Sequence, residues 1–210
     1  MRNRDAPVVT IRRLAVYLRV LNDVNSTGER YVSSQELGER AGVTSAQVRK
    51  DLSMFGEFGK QGVGYQSAYL RDEIARILHA DRTINYAVIG AGELGMALGR
   101  YTQRRRQLDS DYPFKLVAIF DIDEAKIGRM VGAVSVSHID SLAERVREDK
   151  FNMALLTVPP EAAQPLVDMA AKAGLKAILN FVPVRLNVPQ GVRVHSADVS
   201  LELHGLAYFL

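Results

Sequence analysis

Ile84-Asn85-Tyr86-Ala87-Val88-Ile89-Gly90-Ala91-Gly92-Glu93-Leu94-Gly95 carries a short apolar strand into Gly-x-Gly-x-x-Gly, and a helix-like segment, Met96 to Arg106, follows. In that context Gly90 allows a tight turn, Gly92 lets a pyrophosphate approach the backbone, and Gly95 lets helix pack closely on strand. The phosphates then lie at the helix N-terminus. A second apolar run, Leu116-Val117-Ala118-Ile119-Phe120, ends in Asp121, whose carboxylate suits the ribose hydroxyls of an adenosine. Gly95 to Asp121 is 26 positions, longer than the usual spacing of about 20, so the first helix or its loop must be extended. The glycines alone would also suit a turn with no ligand. Strand, glycines, helix, second strand and terminal Asp together favour a dinucleotide site.

Downstream, Asp123-Glu124-Ala125-Lys126-Ile127-Gly128 reads as a short helix, Val134-Ser135-Val136 as a weak strand and Asp140 to Glu148 as a helix. Asn152 to Val158 is a buried-type strand halted by Pro159-Pro160. Glu161 to Ala173 form a helix, and Lys176 to Phe181 another strand. Alternating strands and helices of this length indicate a doubly wound parallel sheet of Rossmann type, in the α/β class. Ligands in such sheets bind beyond the carboxyl ends of the strands. Thr157, Val158, Pro159, Asn180 and Phe181 fall at two such ends and are placed against the nicotinamide half; plain strand-end residues are the competing reading. In the last segment Val199, Leu203, Leu206 and Leu210 recur at helical spacing with Tyr208-Phe209 alongside. A helix apolar on more than one face needs a partner, either its own sheet or a second subunit.

Upstream, Ile11, Leu14, Leu18 and Leu21 predict a helix from about Val8 to Asn25, with Arg12, Arg13 and Arg19 beside the stripe as solvated residues. Ser33 with Glu36, and Thr44 with Gln47, have the form of capping boxes, so two helix starts lie eleven residues apart. Ala41-Gly42-Val43 between them supplies the small residue, turn glycine and apolar plug of a helix-turn-helix with Leu37, Ala41, Val43, Val48, Leu52 and Phe55 as its core. Ser45, Gln47, Arg49 and Lys50 are then left at the exposed first half of the second helix, the part that enters a major groove. A helical hairpin for protein contacts explains the core but not the adjacent Arg49-Lys50. Phe55 to Tyr65 holds four glycines in eleven positions and reads as a hairpin or wing with Lys60 and Gln61 near its tip, able to reach a phosphate or a minor groove. Tyr69, Leu70, Ile74, Ile77 and Leu78 suggest one more helix before a linker at Ala80 to Thr83.

Composition agrees with this division. Residues 1 to 82 carry 13 Lys+Arg and 10 Asp+Glu, while residues 83 to 210 carry 14 of each, so the net charge of +3 sits wholly in the first part. That placement suits a nucleic-acid module joined to a neutral ligand domain. No apolar run approaches the roughly 18 residues of a membrane span, and Met1-Arg2-Asn3-Arg4-Asp5 leads to no long apolar segment, so the expected setting is the cytoplasm. With no cysteine, disulfides, thiolate metal sites and a cysteine nucleophile are excluded, and no metal is expected.

Val48-Arg49-Lys50-Asp51-Leu52-Ser53, Gly62-Val63-Gly64-Tyr65, Gly90 to Gly95, Phe120-Asp121-Ile122-Asp123, Leu156-Thr157-Val158-Pro159 and Leu179-Asn180-Phe181, taken together, resemble the Rex family of bacterial redox-sensing transcriptional repressors over nearly the whole chain. The resemblance implies a homodimer that binds an inverted-repeat operator, represses genes of NADH-reoxidising metabolism and leaves DNA when NADH binds. It implies a winged-helix DNA-binding domain over residues 1–82, an NAD(H)-binding domain over 83–196 and a helix over 197–210 that crosses to the other subunit. By position, Arg49 and Lys50 become groove and phosphate contacts, Gly90, Gly92 and Gly95 the pyrophosphate turn, Asp121 the ribose acceptor, and Arg19, Tyr101 and Asp198 the switch. Two departures stand out. Gln61 occupies a wing position that is commonly basic in the family, with Lys60 beside it. Glu93 puts a carboxylate inside the glycine turn, where it complements a helix N-terminus but repels a phosphate, so it is expected to point away from the ligand.

Two rival functions need separate tests. An NAD-dependent dehydrogenase with a fused helix-turn-helix requires a substrate domain and a positioned acid or base, and none of His79, His138, His195 and His204 has a flanking partner that marks it as catalytic. A DNA-binding sensor of another nucleotide, such as an acyl coenzyme A, would use the same turn.

Overall fold

Residues 1–82 form one unit and 83–210 a second; the computed structural model describes residues 6–60 and 62–210. In the first unit α1 (Val8–Ser26) buries Leu14, Tyr17, Val20, Leu21 and Val24. This stripe is wider than the Leu spacing suggested, and Ile11 and Leu18 lie at its margin. After β1 (Tyr31–Val32), α2 (Ser34–Ala41) and α3 (Ser45–Ser53) start at the two expected caps. Ser33 Oγ accepts from Glu36 N at 3.0 Å and Thr44 Oγ1 from Gln47 N at 3.1 Å, each satisfying an amide that has no partner within its helix. Gly42, at φ +71°, closes α2 in the left-handed region.

β2 (Gly59–Lys60) and β3 (Gly64–Gln66) pair antiparallel, and β3 also pairs with β1. Among the described residues this is a three-stranded sheet in the order β1-β3-β2, with the β2–β3 hairpin as the wing. α4 (Ser67–Leu78) follows. Leu14, Tyr17, Leu21, Leu37, Val48, Leu52, Leu70 and Ile74 form a single core, with Ala41, Val43 and Phe55 packed at its edge.

The second unit contains β4 (Ile84–Ile89), α5 (Glu93–Leu108), β5 (Phe114–Asp121), β6 (Met130–Val131), β7 (Val134–His138), α6 (Leu142–Glu148), β8 (Met153–Leu156), α7 (Pro160–Ala173), β9 (Ala177–Asn180), β10 (Arg193–Ser196) and α8 (Val199–Ala207). Among the described residues they form a seven-stranded sheet in the order β10-β9-β8-β4-β5-β7-β6, parallel except for the β6–β7 hairpin. The chain winds outward in both directions from β4, and this reversal opens a crevice at the carboxyl ends of β4, β5 and β8. Apolar clusters cover both faces of the sheet, one around Ile89, Phe120, Leu156 and Val167 and one around Tyr86, Val88, Leu116 and Ile119.

The long Gly95 to Asp121 interval is taken up by the 16 residues of α5 and the loop after it. Glu124–Lys126 is only one 3-10 turn rather than a short helix, because Gly128, at φ +84°, redirects the chain. β10 was not anticipated, since its polar residues lack strand alternation, yet it adds to β9 in parallel register. Every residue from Val199 to Leu210 is exposed in the single chain.

Candidate dinucleotide site and DNA-facing surface

At the end of β4 the turn is dictated by contact with β8. Gly90 has φ +105°, and a Cβ there would strike the Thr157 carbonyl oxygen. A Cβ at Gly95 would strike the Gly90 oxygen and come 2.6 Å from Thr157 Oγ1. Thr157 Oγ1 in turn donates to Gly90 O at 2.9 Å, so the residue assigned to the nicotinamide half also buttresses the turn. Gly92 differs: at φ −75° it faces open space, so nothing in the protein requires its missing side chain. No side chain caps the first turn of α5, leaving an uncapped positive helix end at that opening. Ala91 is buried, whereas Glu93 and Leu94 are exposed on the first turn of α5.

Asp121 closes the other side of the turn. It is 9% exposed; Oδ2 accepts from Ala91 N at 2.7 Å and from Lys126 Nζ at 3.1 Å, and Oδ1 from Asp123 N at 3.0 Å. Burial alone would raise its pKa, but the Asp123 amide, the Lys126 ammonium and the Ala91 amide together hold it below the usual carboxylate value. A charged acceptor therefore sits directly beside the glycine turn, and the two join β5 to the start of α5.

At the neighbouring strand ends Val158 and Phe181 are half-buried and Pro159 is exposed. Asn180 is 0% exposed. Its Nδ2 donates to Val182 O and its Oδ1 accepts from Val182 N, both at 2.9 Å. It shapes the loop after β9 with an amide already occupied, while Val158 and Phe181 pack against the apolar clusters on the two faces of the sheet.

In the first unit α3 turns Val48, Asp51 and Leu52 inward and leaves Arg49 and Lys50 exposed, with Ser45 and Gln47 half-buried on its flanks. Arg49 Nη1 donates to Ser34 Oγ at 2.9 Å. Gln47 Nε2 donates to Asp51 Oδ1 at 2.8 Å, so part of its amide braces the helix. A groove of about 730 Å³ runs between α3 and the wing, with Arg49, Ser53, Phe58, Lys60 and Tyr65 among its lining residues. Lys60 is exposed on β2; Gln61 lies outside the described residues. Arg13, expected as a solvated residue, is instead paired through two hydrogen bonds with the buried Asp51, because α3 brings that carboxylate against α1.

Of the expected switch residues, Arg19 is exposed on α1 and Tyr101 is 58% exposed on α5. Asp198 caps α8, its Oδ1 accepting from Ser200 N at 2.9 Å. Among the described residues no helix is long and apolar enough to cross a membrane, and no group of three or more His, Asp or Glu side chains is placed to hold a metal.

A winged helix-turn-helix followed by a dinucleotide-type sheet defines a ligand-responsive transcription regulator. Residues 5–53 match the family described as "Putative DNA-binding protein N-terminus" and residues 81–184 the one described as "CoA binding domain". The chain belongs to the Rex family of redox-sensing transcriptional repressors. It is 40% identical over 205 residues to the "Redox-sensing transcriptional repressor Rex" of Natranaerobius thermophilus, covering 98% of this chain and 91% of that one. It is 43% identical to the protein of the same name from Geobacillus kaustophilus, covering 97% and 93%. A crystal structure of "RSP in complex with beta-NAD+ and operator DNA" superposes with TM-score 0.87 at 35% identity, over 97% of this chain and 91% of that one. RSP "in complex with beta-NADH" gives 0.84 at 33% identity, over 98% and 94%. The relatives are named as repressors rather than enzymes, which sets aside the dehydrogenase reading.

Proposed function

We propose that this chain is a cytoplasmic repressor that binds an inverted-repeat operator as a homodimer through α3 and the wing, and that NADH releases it. The observation that carries the reading is the joining of Asp121 to the glycine turn through Ala91 N at 2.7 Å, which makes ribose acceptor and pyrophosphate turn one preformed site. Gly90, Ala91, Gly92, Glu93, Leu94 and Gly95 are its phosphate side; Gly90 N and Ala91 N already donate to Phe120 O and Asp121 Oδ2, which leaves the amides that open α5 as the ligands. Val158, Pro159 and Phe181, with Thr157 and Asn180 supporting them, are its nicotinamide side. NAD⁺ fits the same contacts; the crystallised relatives described with NAD⁺, operator DNA and NADH support both ligand and partner.

The match of residues 81–184 to a coenzyme A family agrees with the same turn, since coenzyme A shares an adenosine pyrophosphate. Its ribose 3′-phosphate, however, would meet Asp121 with like charge, and this favours the dinucleotide.

Release by NADH requires that NADH bind the DNA-incompetent arrangement of the dimer more tightly. Arg19, Tyr101 and Asp198 are the proposed switch, and residues 197–210, ending the 83–196 ligand domain, the segment that crosses to the second subunit. The fully exposed apolar face of α8 supports that crossing. The test is titration with NADH, NAD⁺, NADPH and an acyl coenzyme A, alongside operator binding with and without saturating NADH. Equal operator affinity with and without NADH sinks the proposal. In Asp198→Ala, NADH and operator should each still bind, while the factor by which NADH weakens operator binding falls.

A further inference from the structure

Lys126 has no part in the reading above, although its ammonium contacts Asp121, the proposed ribose acceptor. The turn Glu124–Lys126 fixes its position: Asp123 Oδ1 accepts from Ala125 N at 3.0 Å and Lys126 N donates to Asp123 O at 2.9 Å. The ammonium is thereby delivered 3.1 Å from Asp121 Oδ2 and 3.7 Å from Asp123 Oδ2. Its side chain remains 28% exposed, so it is held by the two carboxylates yet open on one side to whatever lies beyond the end of β5.

Two carboxylates and one ammonium leave one net negative charge at this corner. A free ribose diol is neutral and donates readily to a carboxylate. A 2′-phosphate brings close to two negative charges and only acceptors, so Asp121 repels it while Lys126 attracts it. Resting on the proposed dinucleotide reading, we infer that Lys126 sets how sharply this site separates dinucleotides with a 2′-phosphate from those without one. The lysine tempers the exclusion that Asp121 imposes. Its ammonium, beside Asp121, is a charged donor for the phosphate.

The experiment is calorimetric titration of the intact protein with NADH and with NADPH at low salt, in the unaltered chain, Lys126→Met and Lys126→Arg. In Lys126→Met, NADPH affinity should fall about tenfold and NADH affinity by less than about threefold, since a charge-assisted contact is lost only with the phosphate. Lys126→Arg should keep the original ratio. The inference is overturned if Lys126→Met leaves the ratio of the two affinities unchanged, or weakens NADH as much as NADPH. That result, with NADH still binding the unaltered chain, leaves the dinucleotide reading standing; an unaltered chain that binds neither ligand removes both.

Discussion

Arg13 grips both oxygens of Asp51, with Nε 2.6 Å from Oδ2 and Nη2 2.7 Å from Oδ1, and so ties α1 to α3 across 38 positions of chain. Tyr17 Oη donates to Oδ2 and Gln47 Nε2 to Oδ1, both at 2.8 Å. Asp51 is 1% exposed. Burial acts to raise its pKa, but Arg13, Tyr17 and Gln47 outweigh burial and lower it below the usual value.

Removing Arg13 leaves that carboxylate buried with only neutral donors. Arg13→Leu should therefore destabilise the first unit by roughly 3 kcal/mol at neutral pH, read by urea unfolding. Because the folded pKa of Asp51 is depressed, its contribution is fully present above the unfolded value of about 3.9 and fades as pH falls through the lower folded value. A loss below about 1 kcal/mol, in the range of an exposed pair, would show that the cluster is effectively solvated.

Arg49 and Lys50 should support DNA binding in different ways. If Arg49 reads a base edge, Arg49→Ala costs on the order of 1–3 kcal/mol and relaxes preference at one position of each half-site. Lys50→Ala should weaken all sequences alike and flatten the salt dependence. Unchanged operator binding in both variants moves the DNA surface elsewhere.

The glycines of the turn should respond differently to one methyl group. Gly92→Ala meets open space at an ordinary φ, so melting should be nearly unchanged while dinucleotide affinity drops. Gly95→Ala drives a Cβ into the Gly90 oxygen and should lower the melting temperature as well. Full NADH affinity in Gly92→Ala argues against a close pyrophosphate.

Asp121→Ala should narrow the preference for NADH over NADPH, because each charge-assisted bond to the ribose contributes roughly 1.5–3 kcal/mol. Equal affinities for the two cofactors in the unaltered chain would refute Asp121 as the ribose acceptor.

Deleting Val199 to Leu210 should dissociate the proposed dimer, as followed by sedimentation. A truncated chain that stays dimeric and still leaves DNA on NADH binding would reduce this helix to an accessory.

The architecture was legible where local chemistry fixes it. Ser33 and Thr44 cap the helices their spacing announced, and Gly90 and Gly95 occupy positions that exclude a Cβ. What escaped the sequence depends on partners far apart in the chain. Arg13 looks like any solvated arginine until α3 brings Asp51 against it, and Gln47 looks like a groove residue until Asp51 takes up one of its amide hydrogens. Asn180 at a strand end suggested a ligand contact, but strand ends also need side chains that hold the loop beyond them. β10 could not be read from Arg193-Val194-His195-Ser196, because an exposed edge strand needs only backbone pairing with β9.

The turn held between Ala91, Asp121 and Thr157 also bears on what quantity the proposed sensor measures. The contacts proposed for it are to the adenosine and pyrophosphate half, which the oxidised and reduced dinucleotides share, so they would strengthen both by the same factor. A grip tight enough to keep the pocket filled makes the two forms compete for it. Occupancy by NADH then follows the ratio of the two forms rather than the size of the pool, and the redox distinction falls to the nicotinamide end, beyond β8 and β9.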